Sequence, residues 1–64
     1  MKVNGTETVL GDTRTLSDFL TREGYTIERI AVEKNGEVIP KAQYETEILR
    51  DDDKLEIVTF VGGG

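Results

Sequence analysis

The chain has 64 residues, room for a single domain. It contains no cysteine, histidine or tryptophan, which excludes disulfide staples and the usual zinc ligand sets. Its 13 acidic side chains outnumber 8 basic ones for a net charge of -5, a balance that argues against nucleic acid or anionic membrane and favours a partner with a basic face.

Met1-Lys2-Val3 alternates apolar and polar residues, and Asn4-Gly5 follows. Asn-Gly between extended segments predicts a type I′ turn, because both central positions need positive φ. Glu7-Thr8-Val9-Leu10 is the expected returning strand, closed by Gly11-Asp12. Thr15 is an N-cap candidate three residues ahead of Asp18, and Leu16, Phe19 and Leu20 share one face of the helix that follows. Gly24 supplies the left-handed residue that ends it. So short a helix needs a sheet beneath it, with Val3, Val32, Leu55 and Ile57 as the expected packing partners.

Arg29 to Lys34 reads as a strand, Asn35-Gly36 as a second type I′ turn, and Glu37-Val38-Ile39 as the return, which Pro40 ends. Lys41 to Arg50 is ambiguous, with Tyr44, Ile48 and Leu49 expected to be half-buried. Asp51-Asp52-Asp53 reads as a solvated polar corner rather than a cation site, since three consecutive carboxylates cannot converge on one ion. Lys2, Lys34, Lys41 and Lys54 are read as solvated surface. Lys54 to Val61 is the last and strongest strand.

Hairpin, helix, hairpin, irregular segment and strand make an α+β domain, with the last strand placed centrally beside the first. That is the ubiquitin-like β-grasp: a mixed sheet of about five strands on one helix. Residues 1–61 form the expected domain and 62–64 a flexible glycine tail.

Several segments resemble the thiamine-biosynthesis sulfur-carrier family, ThiS. They are Val3-Asn4-Gly5, Ala31 through Pro40, Leu55-Glu56-Ile57-Val58 and the terminal Val61-Gly62-Gly63-Gly64. The resemblance implies a carrier that is not itself an enzyme and binds no cofactor or metal. A ubiquitin-activating-type adenylyltransferase uses ATP to adenylate the terminal carboxylate, here on Gly64. A persulfide-bearing sulfur donor protein converts the adenylate to a thiocarboxylate, and a thiazole synthase accepts the sulfur. Gly62 and Gly63 then serve as the recognition tail. Where the family has an acidic-Gly-Asp corner, Asp52 stands in the glycine's place, which implies a left-handed Asp52.

Residues without side-chain bulk suit a tail that enters another protein's ATP site. Val58 and Phe60 alternate onto the outer sheet face and, with Val61, are the candidate docking surface for a partner. Val3-like strand patterning begins at Met1 with no signal-peptide pattern, so a cytoplasmic location is expected. Other readings stay open: a sulfur carrier for molybdopterin or an amino acid, a protein-conjugating modifier, and a plain interaction domain.

Overall fold

The computed structural model describes residues 1–60; the expectations for Val61, Gly62, Gly63 and Gly64 lie outside them. The elements are β1 (Lys2–Val3), β2 (Thr6–Glu7), α1 (Leu16–Arg22), β3 (Ile30–Lys34), β4 (Glu37–Val38) and β5 (Lys54–Thr59), with 3₁₀ turns at Ile27–Arg29 and Lys41–Gln43. The strands form one five-stranded sheet in the order β2-β1-β5-β3-β4. β5 lies at its centre, parallel to β1 and antiparallel to β3.

Both hairpins turn where Asn-Gly predicts, with positive φ at Asn4 (50°), Gly5 (83°), Asn35 (54°) and Gly36 (87°). Each asparagine also braces β5. Asn4 accepts from Ile57 N–H at 2.7 Å and donates to Ile57 C=O at 3.1 Å, so its amide continues the β1–β5 pairing past the end of β1. Asn35 donates its backbone N–H to Lys54 C=O at 2.8 Å and accepts from Lys54 N–H at 3.0 Å.

The first return is shorter than expected: β2 stops at Glu7, and Val9 is exposed. Beyond Thr8, whose N–H reaches Met1 C=O, the Val9 and Leu10 carbonyls turn to the Arg22 guanidinium at 2.6 Å each. A side chain of the last helical turn has replaced a strand partner. β3 likewise begins one residue later than expected, because Arg29 closes a 3₁₀ turn by donating its N–H to Thr26 C=O.

Thr15 caps α1 by accepting from Asp18 N–H at 3.1 Å. Leu16 and Ser17 donate to Glu47 and Tyr44 carbonyls, both at 2.8 Å, so the first-turn donors left without intrahelical partners are satisfied. At the other end, Tyr25 N–H returns to Leu20 C=O and Gly24 N–H to Thr21 C=O around Gly24 at φ 82°, a Schellman motif. Leu16, Phe19 and Leu20 are wholly buried with Val32, Leu55 and Ile57, and Val3 packs against them, the predicted set. Tyr44 and Leu49 are core residues too, whereas Ile48 is exposed.

The acidic corner departs from expectation in two ways. Among the described residues only Asn4 and Asn35 are non-glycines with positive φ, so Asp52 is not left-handed and a glycine there would relieve no strain. Asp51 and Asp52 are exposed, but Asp53 is buried. Asp53 accepts from Asn35 Nδ2 at 2.9 Å and Arg50 N–H at 2.8 Å, and Lys34 Nζ lies 3.8 Å away. Nor is Lys34 solvated surface: it pairs with Glu47 at 2.7 Å and donates to Ile48 C=O. The cluster clamps the second hairpin turn to the segment entering β5.

Burial alone pushes the Asp53 carboxyl up. The hydrogen bonds from Asn35 and Arg50, with the Lys34 charge, outweigh that and hold it below the ordinary aspartate value. A depressed folded-state value stabilises the fold above the unfolded-state value, and that stabilisation is lost as pH falls through the folded-state one. Asp53→Asn sets an amide N–H against a neighbouring donor and is expected to cost about 1–3 kcal/mol at neutral pH. Urea denaturation at neutral and acid pH should show the wild type and the variant converging as the solution is acidified.

Candidate functional site

Period-two alternation along β5 divides its side chains between two faces. Leu55 and Ile57 point into the core at 1% and 6% exposure, while Val58 stands outward at 57%. Phe60 is 50% exposed, and its backbone N–H still reaches Arg29 C=O at 2.7 Å, so the chain stays anchored to the start of β3 up to the last described residue. The structure therefore places Val58 and Phe60 on the solvent face, as the alternation predicts; the third expected member, Val61, lies beyond the described residues.

The sheet adds members that sequence spacing alone does not reveal. Ala31 lies directly across from Val58, and Val38 across from Glu33 on the edge strand at 70% exposure. Beside Phe60 a cleft of about 240 Å³ is lined by Ala31, Val38, Ile39, Pro40 and Tyr44 among others. Its walls are chiefly hydrocarbon, and Phe60 forms one side of it. The only sequence signal for these partners is the second Asn-Gly, which sets the β3–β4 register; the β3–β5 register has no local signature.

No catalytic constellation accompanies this face. Among the described residues no three carboxylates gather as a metal site, and the acidic corner faces two ways. The nine-tenths-buried acid, Asp53, is occupied with its clamp. What the geometry offers is an apolar surface on the central strand, reaching to Phe60.

The family model for ThiS matches residues 1–64. The chain belongs to the ThiS family. A protein of Bacillus subtilis named sulfur carrier protein ThiS is 43% identical over 53 residues, covering 83% of this chain and 80% of its own. A thiazole synthase of Paramagnetospirillum magneticum is 40% identical over 62 residues, covering 97% of this chain. The ThiS-family chain spans only 19% of that relative's length. A crystal structure of a ThiS thiamine-biosynthesis protein from Geobacter metallireducens superimposes with a TM-score of 0.80 at 27% identity, covering 98% of this chain and 96% of that one. The mixed sheet with one helix is thus the ubiquitin-like β-grasp of the ThiS family.

Proposed function

We propose that this protein is the sulfur carrier for thiazole formation in thiamine biosynthesis, bearing the sulfur on the carboxylate of Gly64. The observation that carries the reading is the ThiS match, which runs through the glycine tail at residues 62–64. In this reading a ubiquitin-activating-type adenylyltransferase takes ATP and joins AMP to the Gly64 carboxylate, releasing pyrophosphate. The outer sulfur of a persulfide-bearing donor protein then attacks the acyl adenylate and displaces AMP to give an acyl disulfide. A second thiol on a partner cleaves that S–S bond, forming a disulfide on the partner and freeing the Gly64 thiocarboxylate, which a thiazole synthase consumes. Support for the last partner comes from two relatives named thiazole synthase that contain a stretch similar to 97% and 78% of this chain.

The chain's own part is to present one carbonyl carbon. It has no cysteine or histidine to act as nucleophile or proton shuttle, so the bond-making groups belong to its partners and the protein acts as their co-substrate, not as an enzyme. Gly62 and Gly63 carry no side chains to obstruct entry to the partner's ATP site. Val58, Phe60 and Val61 dock the domain so that the tail is delivered in one direction. Because the adenylation in this reading consumes ATP, we assign this work to the cytoplasm.

Intact-mass measurement after incubation with the adenylyltransferase, ATP and the sulfur donor tests the reading. The protein should gain the mass of one sulfur-for-oxygen exchange; an unchanged mass with a competent enzyme set overturns it. The docking face has its own test. Phe60→Asp changes a half-exposed side chain that lies outside the core cluster. It should leave circular dichroism and melting unchanged while weakening binding to the adenylyltransferase at least tenfold, since a carboxylate must be desolvated against an apolar surface. Unchanged binding would move the docking face elsewhere.

A further inference from the structure

The centre of the outer sheet face carries two like charges side by side. Glu33 of β3 and Glu56 of β5 are direct partners in the antiparallel register, and both are exposed. Side chains so placed have Cβ atoms about 4.5–5.5 Å apart, a spacing at which like charges destabilise a sheet. Among the described residues neither carboxylate forms an ion pair, although four other acidic side chains do. Lys54, two residues before Glu56 on the same face, and Lys2 beside it form no ion pair with either carboxylate.

The neighbours make this pair more than a solvated acidic spot. Val38 completes the same cross-strand row beyond Glu33, and Val58 with Ala31 forms the next row. Phe60 then follows along β5. Two carboxylates thus border an apolar strip that runs to the end of the described chain. A guanidinium is planar, holds donors in a fixed fork and bridges two carboxylates well, while its aliphatic stem packs on hydrocarbon such as Val38 and Val58. A second copy of this chain is a poor occupant, because it carries the same net charge of -5 and would set one acid pair against another.

We propose that Glu33 and Glu56 form a carboxylate clamp that receives an arginine side chain of the adenylating partner and fixes the register of the apolar strip on that enzyme. This rests on the sulfur-carrier reading, which requires such a partner to take the tail beyond Phe60. The clamp supplies orientation and encounter rate; the apolar strip supplies contact area. Within the free domain the pair is a cost, and it becomes favourable when the cation arrives.

The test is adenylation of the full chain by the purified adenylyltransferase, with binding measured at low and high salt. Glu33→Gln with Glu56→Gln should raise KM and Kd roughly tenfold at low salt through a slower association, leave kcat unchanged, and flatten the salt dependence. The same variant should melt at a higher temperature than the wild type, because the repulsion has gone. A control of equal charge change away from this face, Asp12→Asn with Glu45→Gln, should bind as the wild type does. If the pair variant keeps wild-type affinity, or the control loses as much, the clamp is wrong while the carrier reading stands. If the wild type itself is not adenylated, the carrier reading fails and the clamp falls with it.

Discussion

Phe19→Ala should cost this domain about 3–5 kcal/mol, the range for removing a fully buried phenylalanine. Phe19 has no exposed surface and sits between the helix and the sheet, surrounded by Leu16, Leu20, Val32, Leu55 and Ile57 in one core. Its loss also removes the ring beneath the Arg22 guanidinium, 5.1 Å from the ring centroid, and that guanidinium holds the Val9 and Leu10 carbonyls. The core and the loop that replaces a longer second strand are therefore weakened together. A domain of this length has a total stability of roughly 3–10 kcal/mol, so the variant should be substantially unfolded at the lower end of that range. Urea denaturation measures it directly, and the midpoint of thermal unfolding should fall by more than about 10 °C. A loss under about 1 kcal/mol would mean that the ring does not hold the helix to the sheet.

How much of this architecture was readable from the sequence depended on how local its determinants are. Thr15, Leu16, Phe19, Leu20 and Gly24 specify the helix within ten residues, and two Asn-Gly pairs specify both hairpins; the structure follows them. What the same asparagines do next was hidden. Asn4 bonds to a residue 53 positions away, and Asn35 to one 19 positions away, and neither distance leaves a periodic trace. The segment 41–50 looked irregular because its carbonyls serve the start of α1 rather than a ladder of their own.

The acidic corner misled for a related reason. Three consecutive aspartates read as water-facing by composition, yet one of them turns inward to receive an amide, a backbone N–H and a nearby ammonium. Such burial is favourable only when all those partners converge, which is a property of the fold. The outer apolar face was half visible: alternation placed Val58 and Phe60 outward, but Val38, Ala31 and the Glu33–Glu56 pair joined them through strand register. The family, by contrast, was legible from short segments spread over the chain, because turn residues and tail glycines are fixed by backbone demands that substitute poorly.

Deleting Gly63 and Gly64 should abolish sulfur loading while leaving the folded domain almost as stable as before. Gly63 and Gly64 contribute no side chain to bury. The melting temperature should therefore move little. The chemistry should vanish for reasons of reach. At about 3.3–3.6 Å per extended residue, a carboxylate moved to Gly62 falls about 7 Å short of the position Gly64 supplies. A displacement of about 1 Å already costs about a hundredfold in rate where reacting groups must be held in line, so no useful adenylation should remain. Binding to the adenylyltransferase should persist in weakened form, because the apolar strip and the acid pair are intact, and the truncated chain should then act as a competitive inhibitor of the full one. Intact mass after incubation with enzyme, ATP and sulfur donor is the readout: the full chain gains the sulfur-for-oxygen mass and the truncated chain does not. Equal conversion of the two would show that the reactive carboxylate is not positioned by the glycine tail, and the assignment of Gly64 would have to be withdrawn.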